Sequence, residues 1–425
     1  MTSLHRAGAR PSVDTRTRSV GDATTVDADA FWAGAWEEAI ARHGARAADD
    51  ARRLNMAPLA IAIDGEPWTL RAGRESLEVT RGRARETPQV DIDGDAFADW
   101  VSERRTGLGL AVAGRTGGDP EGVAAFCAWD PVVRSALDGR AVYRPGDIAL
   151  RSADGSPLDL DQRFHLDEEP AEAARFLAEA GFVILRGVFS DSEMDAVDAD
   201  LARAVAGARP DDGASWWAAT SAGDQYPCRI LDFAEQSEAL RALIDDPRFG
   251  AIGELLGDGH RPGDPFGEHF ADVTAEGLLK RVNTTEGLAC LPWHKDCERG
   301  GHSMFCSGLT VGICLTPVDE AHGGLDVMAG SHRANIARAQ VDSGLDLPAV
   351  SLRAERGDLS VHMSCALHRS THPTTDERRV AYTGFALPLR AEDRHDEAAQ
   401  PVLRRERAAL GDPGTAGRLG PAPAS

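Results

Sequence analysis

Two metal-ligand side chains spaced two positions apart constrain the fold of this sequence more than any other feature. His294 and Asp296 lie in the segment Trp293-His294-Lys295-Asp296, and in an extended chain the side chains at i and i+2 leave on the same side. Both can therefore face one ion, and a third ligand must come from another strand, for which His368 is the candidate. Two imidazoles and one carboxylate on one face of a ferrous ion leave positions open for oxygen and a chelating cosubstrate. The spacing predicts a non-haem iron site.

A permanently charged side chain follows the second histidine. Arg379 lies eleven residues after His368, and its planar guanidinium is suited to hold a dicarboxylate such as 2-oxoglutarate through two hydrogen bonds. Arg378 and Arg379 point to opposite faces of a strand, and we expect Arg379 to be the one in the pocket. Thr383 shares a strand face with Arg379 and is predicted to bind the same carboxylate.

The chain has only two lysines, Lys280 and Lys295, and both lie in or near the metal motif. Lys280 follows the apolar pair Leu278-Leu279, and we expect it to point inward toward the cosubstrate or an acidic substrate group. The alternative, that both are solvated surface residues, stays open.

Alternating apolar and polar residues surround these positions, as half-buried strands require. The alternation is found in the segments 309–315 and 359–364, and 380–385 gives another strand directly after Arg379. Strands that are separated by turns and carry inward polar ligands are typical of a β-barrel or jelly roll.

Two further histidines leave alternatives open. His362 lies six residues before His368 and could replace it as the ligand, although the spacing to the arginine favours His368. His332, in a Gly-Ser-His turn, is interpreted as a residue that supports the site rather than as a ligand.

Together these segments resemble the phytanoyl-CoA dioxygenase family of Fe(II)/2-oxoglutarate oxygenases over roughly residues 165–390. The resemblance rests on five segments: an opening strand (181–189), the cap of the following helix (190–193), the metal motif (293–296), a Gly-Ser-His turn (323–332) and the distal-ligand strand with its arginine (357–379). It implies that His294, Asp296 and His368 ligate the metal and that Arg379 binds 2-oxoglutarate. It also implies a mainly-β double-stranded β-helix, a jelly-roll or cupin-like fold with flanking helices.

The resemblance extends to the reaction. Halogen-transferring members of the broader class lack the carboxylate that Asp296 supplies here. We therefore expect an Fe(II)- and 2-oxoglutarate-dependent dioxygenase that uses O2 to hydroxylate a small-molecule or acyl, lipid-like substrate, releasing succinate and CO2. Two alternatives stay open: a catalytically inactive lipid- or metabolite-binding protein, and a cupin-like enzyme that uses another metal. His372-Pro373 departs from the family, in which Asn is common nearby.

Composition excludes several classes of function. The net charge of −22 and the pI near 5.0 argue against binding to nucleic acid or to anionic membranes, because both need clustered positive charge. The sequence has no run of about eighteen apolar residues that could span a membrane, and its start lacks the apolar core of a secretory signal. Seven cysteines without paired spacing indicate reduced thiols, so we expect a cytoplasmic enzyme. The oligomeric state is not constrained.

The first part of the chain predicts a separate α+β domain. We predict a disordered stretch 1–28, the α+β domain 29–150, the oxygenase domain 155–395 and a disordered tail 411–425. In the α+β domain a helix is expected to begin after Asp27 or Asp29, and another to span 96–101. Asp64-Gly65 predicts a tight turn between strands. The predicted strands are 59–63, 68–71, 77–80, 90–92 and 108–112.

This order of elements resembles a sterol-carrier-type lipid-binding domain over roughly residues 30–145. The resemblance implies an apolar tunnel that presents a long-chain substrate. The alternative is a helper domain that only packs on the oxygenase or mediates dimerisation.

Overall fold

The computed structural model describes residues 26–386 except 104, 211, 258, 263–274, 298–303 and 305–307. Most of the predicted disordered start and all of the predicted disordered tail lie outside the described residues. So do residues 387–395 of the predicted oxygenase domain.

The N-terminal region is a mixed sheet packed against helices. Its helices are α1 (Ala28–Ala33), α2 (Ala35–Arg53), α3 (Gly94–Val101), α4 (Gly107–Val112) and α5 (Pro120–Asp138). Its strands are β1 (Leu59–Ile63), β2 (Glu66–Ala72), β3 (Leu77–Arg81), β4 (Gln89–Ile92) and β5 (Gly117–Gly118). The strand order is β3-β2-β1-β4-β5, with β1 parallel to β4.

Local signals in the sequence explain where these elements begin and turn. The Asp27 carboxylate accepts a 2.7 Å hydrogen bond from the Ala30 backbone N–H and so caps α1. Asp64 and Gly65 have φ angles of 51° and 86°, the left-handed pair that a two-residue turn between β1 and β2 requires. The predicted turn is therefore confirmed.

The predicted strand over 108–112 is wrong, because these residues form helix α4. The Thr106 side chain accepts a 2.9 Å hydrogen bond from the Gly109 N–H, which caps the helix at its first turn. A short apolar run does not distinguish a buried strand from a buried helix by periodicity, and here the capping threonine decides.

Aromatic side chains fill the core of the N-terminal region. The buried rings are those of Trp32, Trp36, Phe97, Trp100, Phe126 and Trp129. The region also contacts the C-terminal part of the chain, because the buried Asn335 side chain donates hydrogen bonds of 2.8 and 2.6 Å to the carbonyls of Pro131 and Arg140. The sterol-carrier-type role stays a prediction.

The C-terminal region is rich in β-structure. Its helices are α6 (Pro170–Ala180), α7 (Asp191–Gly207), α8 (Phe233–Gln236), α9 (Glu238–Ile244), α10 (Pro247–Gly250) and α11 (Arg338–Ser343), with short 3-10 helices at Ala251–Leu256 and Ser331–Arg333. Its strands are β6 (Phe182–Leu185), β7 (Ser215–Thr220), β8 (Gln225–Ile230), β9 (Arg261–Pro262), β10 (Glu276–Lys280), β11 (Thr284–Glu286), β12 (Leu309–Cys314), β13 (Leu325–Met328), β14 (Ala349–Ser351), β15 (Leu359–Met363), β16 (His368–Ser370) and β17 (Arg378–Ala386).

These strands form a large and a small sheet. The large sheet has the order β11-β7-β8-β10-β17-β12-β15-β6, with β9 paired to β17, and the small sheet has the order β14-β13-β16. In the large sheet Thr310 pairs with His362 on one side and with Gly384 on the other. Directly paired residues share a face of the sheet, and consecutive residues along a strand point to opposite faces, so Thr310, His362, Tyr382 and Arg378 lie on one face, which we call the inner face.

The opposite, outer face of the large sheet is apolar. Its side chains include Val311, Ile313, Val361, Ala381 and Phe385, all fully buried in the main core with residues of the surrounding helices. Two antiparallel sheets with helices on one outer face agree with the predicted double-stranded β-helix, and that specific fold class stays a prediction.

Gly181 ends helix α6 in a conformation that a larger residue would strain. Its φ is 84°, and an added Cβ would lie 2.4 Å from Nδ1 of the buried His332. We expect Gly181→Ala to lower the free energy of unfolding by at least ~1–2 kcal/mol, the cost of a left-handed non-glycine residue, as measured by urea denaturation. Gly207→Ala, where the added Cβ has nothing within 4 Å, is the control and should be neutral or stabilising. Equal stability of the two variants would contradict this account.

Candidate metal centre

The backbone brings the two predicted histidine ligands together. His294 and His368 form an antiparallel bridge, in which each backbone N–H donates to the other residue's carbonyl at 3.0 Å. Directly opposed residues on adjacent strands project their side chains to the same side, and the two imidazole centroids are 4.2 Å apart. The small sheet therefore presents both rings at one point, because His368 opens strand β16.

The three predicted ligands form one donor group. Oδ1 of Asp296 lies 3.6 Å from Nε2 of His294 and 3.6 Å from Nε2 of His368, and the ligand atoms of all three residues lie within 4.8 Å of one another. Two ligands that are each about 2.1 Å from one ion are separated by no more than about 4.2 Å. Both histidine–aspartate separations are thus short enough for a shared ion.

Hydrogen bonds fix the tautomer of both imidazoles. Nδ1 of His294 lies 2.7 Å from the Pro292 carbonyl, and Nδ1 of His368 lies 3.0 Å from the Ala366 carbonyl. A carbonyl only accepts hydrogen bonds, so each Nδ1 carries a hydrogen, and in the neutral ring the lone pair of Nε2 is directed at the donor group. This is the arrangement in which a histidine binds a metal through Nε2.

The protonation states of the site also suit a cation. Burial acts to raise the pKa of Asp296, but the neighbouring His368, His294 and His362 outweigh it and hold that pKa well below its ordinary value. Burial and then the adjacent His294 hold the pKa of His368 well below its ordinary value. At neutral pH the carboxylate is therefore ionised and the His368 imidazole is neutral, as metal ligation requires.

The other two histidines lie in different places. His362 is on the inner face, and its Nε2 lies 3.5 Å from Oδ2 of Asp296, so it adjoins the donor group without replacing His368. His332 lies beneath helix α6, where its Nε2 is 3.0 Å from the Ala178 carbonyl, and burial lowers its pKa to about 4. The interpretation of His332 as a supporting residue agrees with this position.

The expected position of Arg379 is wrong, because this side chain lies on the outer face of the large sheet. Its Nη1 pairs with both carboxylate oxygens of Asp198 on helix α7, at 3.0 and 2.9 Å, and its Nε donates to Glu377 at 2.8 Å. Thr383 is an even number of positions from Arg379 on strand β17, so its side chain lies on the same outer face. Neither side chain points toward the donor group.

Arg378 takes the inward position instead. Its side chain is fully buried, with Nη1 donating to the carbonyls of Gly323 and Gly324 and Nη2 donating to the Tyr382 hydroxyl at 2.9 Å. Lys280 is its register partner on strand β10 and is also fully buried, with Nζ donating to the Thr371 carbonyl at 2.9 Å. The structure thus places two cations side by side on the inner face.

Neither lysine is a surface residue, so that alternative is excluded. Lys280 lies on the inner face, and its contact with the cosubstrate or an acidic substrate group stays a prediction. Lys295 leaves its strand on the side opposite to His294 and Asp296, and its Nζ donates to the carbonyls of Ser331 and Ala334 at 3.4 and 3.3 Å. Lys295 therefore ties the metal motif to the Gly-Ser-His turn.

Several polar atoms on the inner face have no hydrogen-bond partner among the described residues, although they are buried. They are Oγ of Ser360, both ring nitrogens of His362 and Nε of Arg378. Ser360 and Tyr382 meet across Gly312, where an added Cβ would lie 2.7 Å from the serine Oγ and 3.0 Å from the tyrosine ring. Buried polar atoms are almost always satisfied in folded proteins, so this strip between the donor group and Arg378 is suited to a polar ligand.

Comparison with known families identifies this part of the chain. Residues 177–381 match the model of the phytanoyl-CoA dioxygenase (PhyH) family. This region is similar to the phytanoyl-CoA dioxygenase family. Its cofactors are Fe(II), 2-oxoglutarate and O2, and the His-Asp-His group with its ionised carboxylate fits the ferrous ion.

Solved structures with partial likeness cover about half of the chain. AviO1 from Streptomyces viridochromogenes Tue57 is 21% identical over 52% of this chain and 96% of its own, with a TM-score of 0.41. EctD from S. alaskensis with bound Fe is 19% identical over 57% of this chain and 84% of its own, with a TM-score of 0.43. No curated protein matches the sequence. Among the described residues, no helix is long and apolar enough to cross a membrane.

Sequence reasoning missed two inner-face residues of this dioxygenase-family site. Thr310 donates a 2.8 Å hydrogen bond to Oδ2 of Asp296, and Ser360 lies on the neighbouring strand β15. Both are polar residues in segments where apolar and polar residues alternate, and this alternation was the signal in the sequence that could have pointed to them. The alternation alone did not tell which face of each strand meets the metal.

Proposed function

We propose that this protein is an Fe(II)- and 2-oxoglutarate-dependent dioxygenase that hydroxylates a small-molecule or lipid-like substrate and releases succinate and CO2. His294, Asp296 and His368 would hold the iron, while Arg378 and Lys280 would bind the cosubstrate. The observation that carries this proposal is the strip of buried, unpartnered polar atoms between the three-residue donor group and Arg378. When bound, iron and 2-oxoglutarate supply the activation of O2, and the chain supplies position and a dry pocket.

The two inner-face cations support the choice of an anionic cosubstrate. Lys280 and Arg378 are both 0% exposed, and within the described part of the chain their hydrogen bonds go to carbonyls, the Tyr382 hydroxyl and the Cys290 side chain rather than to a carboxylate. A buried charge without a counter-charge is strongly unfavourable. The distal carboxylate of 2-oxoglutarate would supply that counter-charge, with the Arg378 fork orienting it.

Lys280 makes cosubstrate binding depend on pH. Burial, and then the charge of Arg378, lower the pKa of Lys280 to about 7. The amine is charged below that pH and neutral above it, and a carboxylate binds the charged form better. The affinity for 2-oxoglutarate should therefore be highest below pH 7 and fall by up to about tenfold per pH unit as the pH rises above it. Calorimetric Kd values across this range measure the effect.

Two variants separate Lys280 from the other titratable groups around it, which are Cys290 and His372. Lys280→Arg keeps its charge, so its affinity should stay high and independent of pH. Lys280→Met should bind weakly at every pH. A wild-type affinity that does not change with pH, or an unchanged profile in Lys280→Met, would show that Lys280 does not contact the cosubstrate.

A turnover assay tests the reaction itself. Anaerobically loaded protein is given O2 and a panel of acyl thioesters, free acids and polycyclic small molecules, and succinate is quantified beside the mass of each substrate. Succinate formation with a gain of one oxygen atom in the substrate supports hydroxylation. Cosubstrate binding without succinate across the panel would favour the binding-protein alternative. Turnover that is restored only by a metal other than iron would favour the other-metal alternative.

A further inference from the structure

His362 is a buried histidine that the proposed ligand set does not use. It is 1% exposed, and neither ring nitrogen has a hydrogen-bond partner among the described residues. Its ring centroid lies 4.4 Å from that of His368, and its Nε2 lies 3.5 Å from Oδ2 of Asp296. A buried imidazole whose nitrogens lack a well-formed hydrogen bond is costly, so its place beside the donor group calls for a role.

The two oxygens of Asp296 have different neighbours. Oδ1 faces the Nε2 atoms of His294 and His368, both at 3.6 Å. Oδ2 accepts a 2.8 Å hydrogen bond from the Thr310 hydroxyl and has His362 as its second polar neighbour. The two oxygens of this carboxylate therefore have different surroundings: Oδ1 faces the two ligand imidazoles, and Oδ2 faces the large sheet.

We propose that His362 and Thr310 are positioning residues that together hold Oδ2, so that Asp296 ligates the metal through Oδ1 alone. The inference rests on the proposed metal centre. A small movement of the imidazole closes its 3.5 Å separation to the ~2.9 Å of an N–H···O hydrogen bond. The Thr310 hydrogen bond and the new His362 hydrogen bond would then fix the carboxylate in its plane together.

The consequence concerns the number of open coordination positions. A carboxylate that is free to rotate binds a cation through one oxygen or through both. A site with three protein donors keeps room for a chelating cosubstrate and for oxygen, and a second carboxylate oxygen would take one of those positions. Holding Oδ2 against the sheet preserves the open face.

The geometry favours this role over direct ligation by His362. Its Nε2 lies near Oδ2, the oxygen directed away from the two ligand imidazoles. Among the described residues, the donors that lie close enough to share an ion are those of His294, Asp296 and His368. His362 also extends from strand β15 of the large sheet, whereas His294 and His368 are paired at the small sheet.

Cobalt(II) in place of iron tests the inference without turnover. The visible absorption of the Co(II)-loaded protein reports coordination number, and titration gives the affinity. We expect His362→Phe and Thr310→Val each to change the spectrum toward a higher coordination number and to weaken Co(II) binding by about 10- to 100-fold, as for other partners of metal ligands. Thr310→Ser and His362→Gln, which keep a donor, should restore the wild-type spectrum. Thr383→Val, on the outer face, is the control.

The outcomes separate this inference from the proposed function. Wild-type protein that binds no Co(II) would overturn the metal centre itself. Wild-type binding with unchanged spectra in folded His362→Phe and Thr310→Val would overturn the positioning role and leave the centre intact. A changed spectrum in His362→Phe and His362→Gln but not in Thr310→Val would mean that His362 ligates the metal, which also contradicts the proposal. Circular dichroism confirms that each variant is folded.

Discussion

Arg378→Gln should raise the Kd for 2-oxoglutarate by roughly 30- to 5000-fold, while Arg379→Gln should leave it within about twofold. Removing one partner of a buried, hydrogen-bonded charge pair costs ~2–5 kcal/mol, and Arg378 is fully buried beside Lys280 on the inner face. Arg379 pairs with Asp198 on the outer face, and each side chain of that pair is 32% exposed. Such exposed pairs contribute ~0–1 kcal/mol to stability, so its loss should be mild.

The two variants are matched because they make the same substitution at adjacent positions of one strand. Calorimetric titration of the ferrous protein under anaerobic conditions gives both Kd values. If instead Arg379→Gln abolishes cosubstrate binding and Arg378→Gln does not, the assignment of the inner face is incorrect.

His294→Ala should weaken ferrous-ion binding by more than about 100-fold, beyond the range typical for residues that only orient a ligand. The variant removes an Nε2 that lies 3.6 Å from Asp296 Oδ1 and is oriented by the Pro292 carbonyl. Two donors then remain, and turnover should fall to background. Metal analysis after anaerobic reconstitution and gel filtration measures the bound iron.

His165→Ala serves as the control for this change, because His165 is half-exposed and lies outside the site. It should retain iron and activity. Normal turnover in His294→Ala would contradict the metal centre, whatever the behaviour of the control.

Two of the three donors, His294 and Asp296, could be placed together from the sequence because their geometry is local. The i, i+2 spacing puts His294 and Asp296 on one side of an extended chain, and the strand pattern around His368 supplies the facing partner. The structure adds the bridge between His294 and His368, which no pattern in a single sequence reveals.

The sequence alone could not decide which of Arg378 and Arg379 faces the site. Alternation predicts opposite faces for Arg378 and Arg379, and the structure has them so, but it does not tell which face is inward. The neighbouring residues of the strand distinguish the two faces. Arg379 lies on the same face as Ala381 and Phe385, which are buried in the apolar core under the helices. The positions of strand β17 that carry these buried apolar side chains face outward. Arg378 occupies one of the positions that alternate with them, so it points to the site.

Charge-transfer absorption of the ferrous protein with 2-oxoglutarate tests the central claim most directly. Chelation of iron by this cosubstrate gives a weak visible band, a property of the cofactors rather than of the chain. We predict the band under anaerobic conditions in wild-type protein and in Arg379→Gln, and its loss at the same cosubstrate concentration in His294→Ala and Arg378→Gln. Absence of the band from folded, iron-loaded wild-type protein, or its loss in Arg379→Gln alone, would contradict the account.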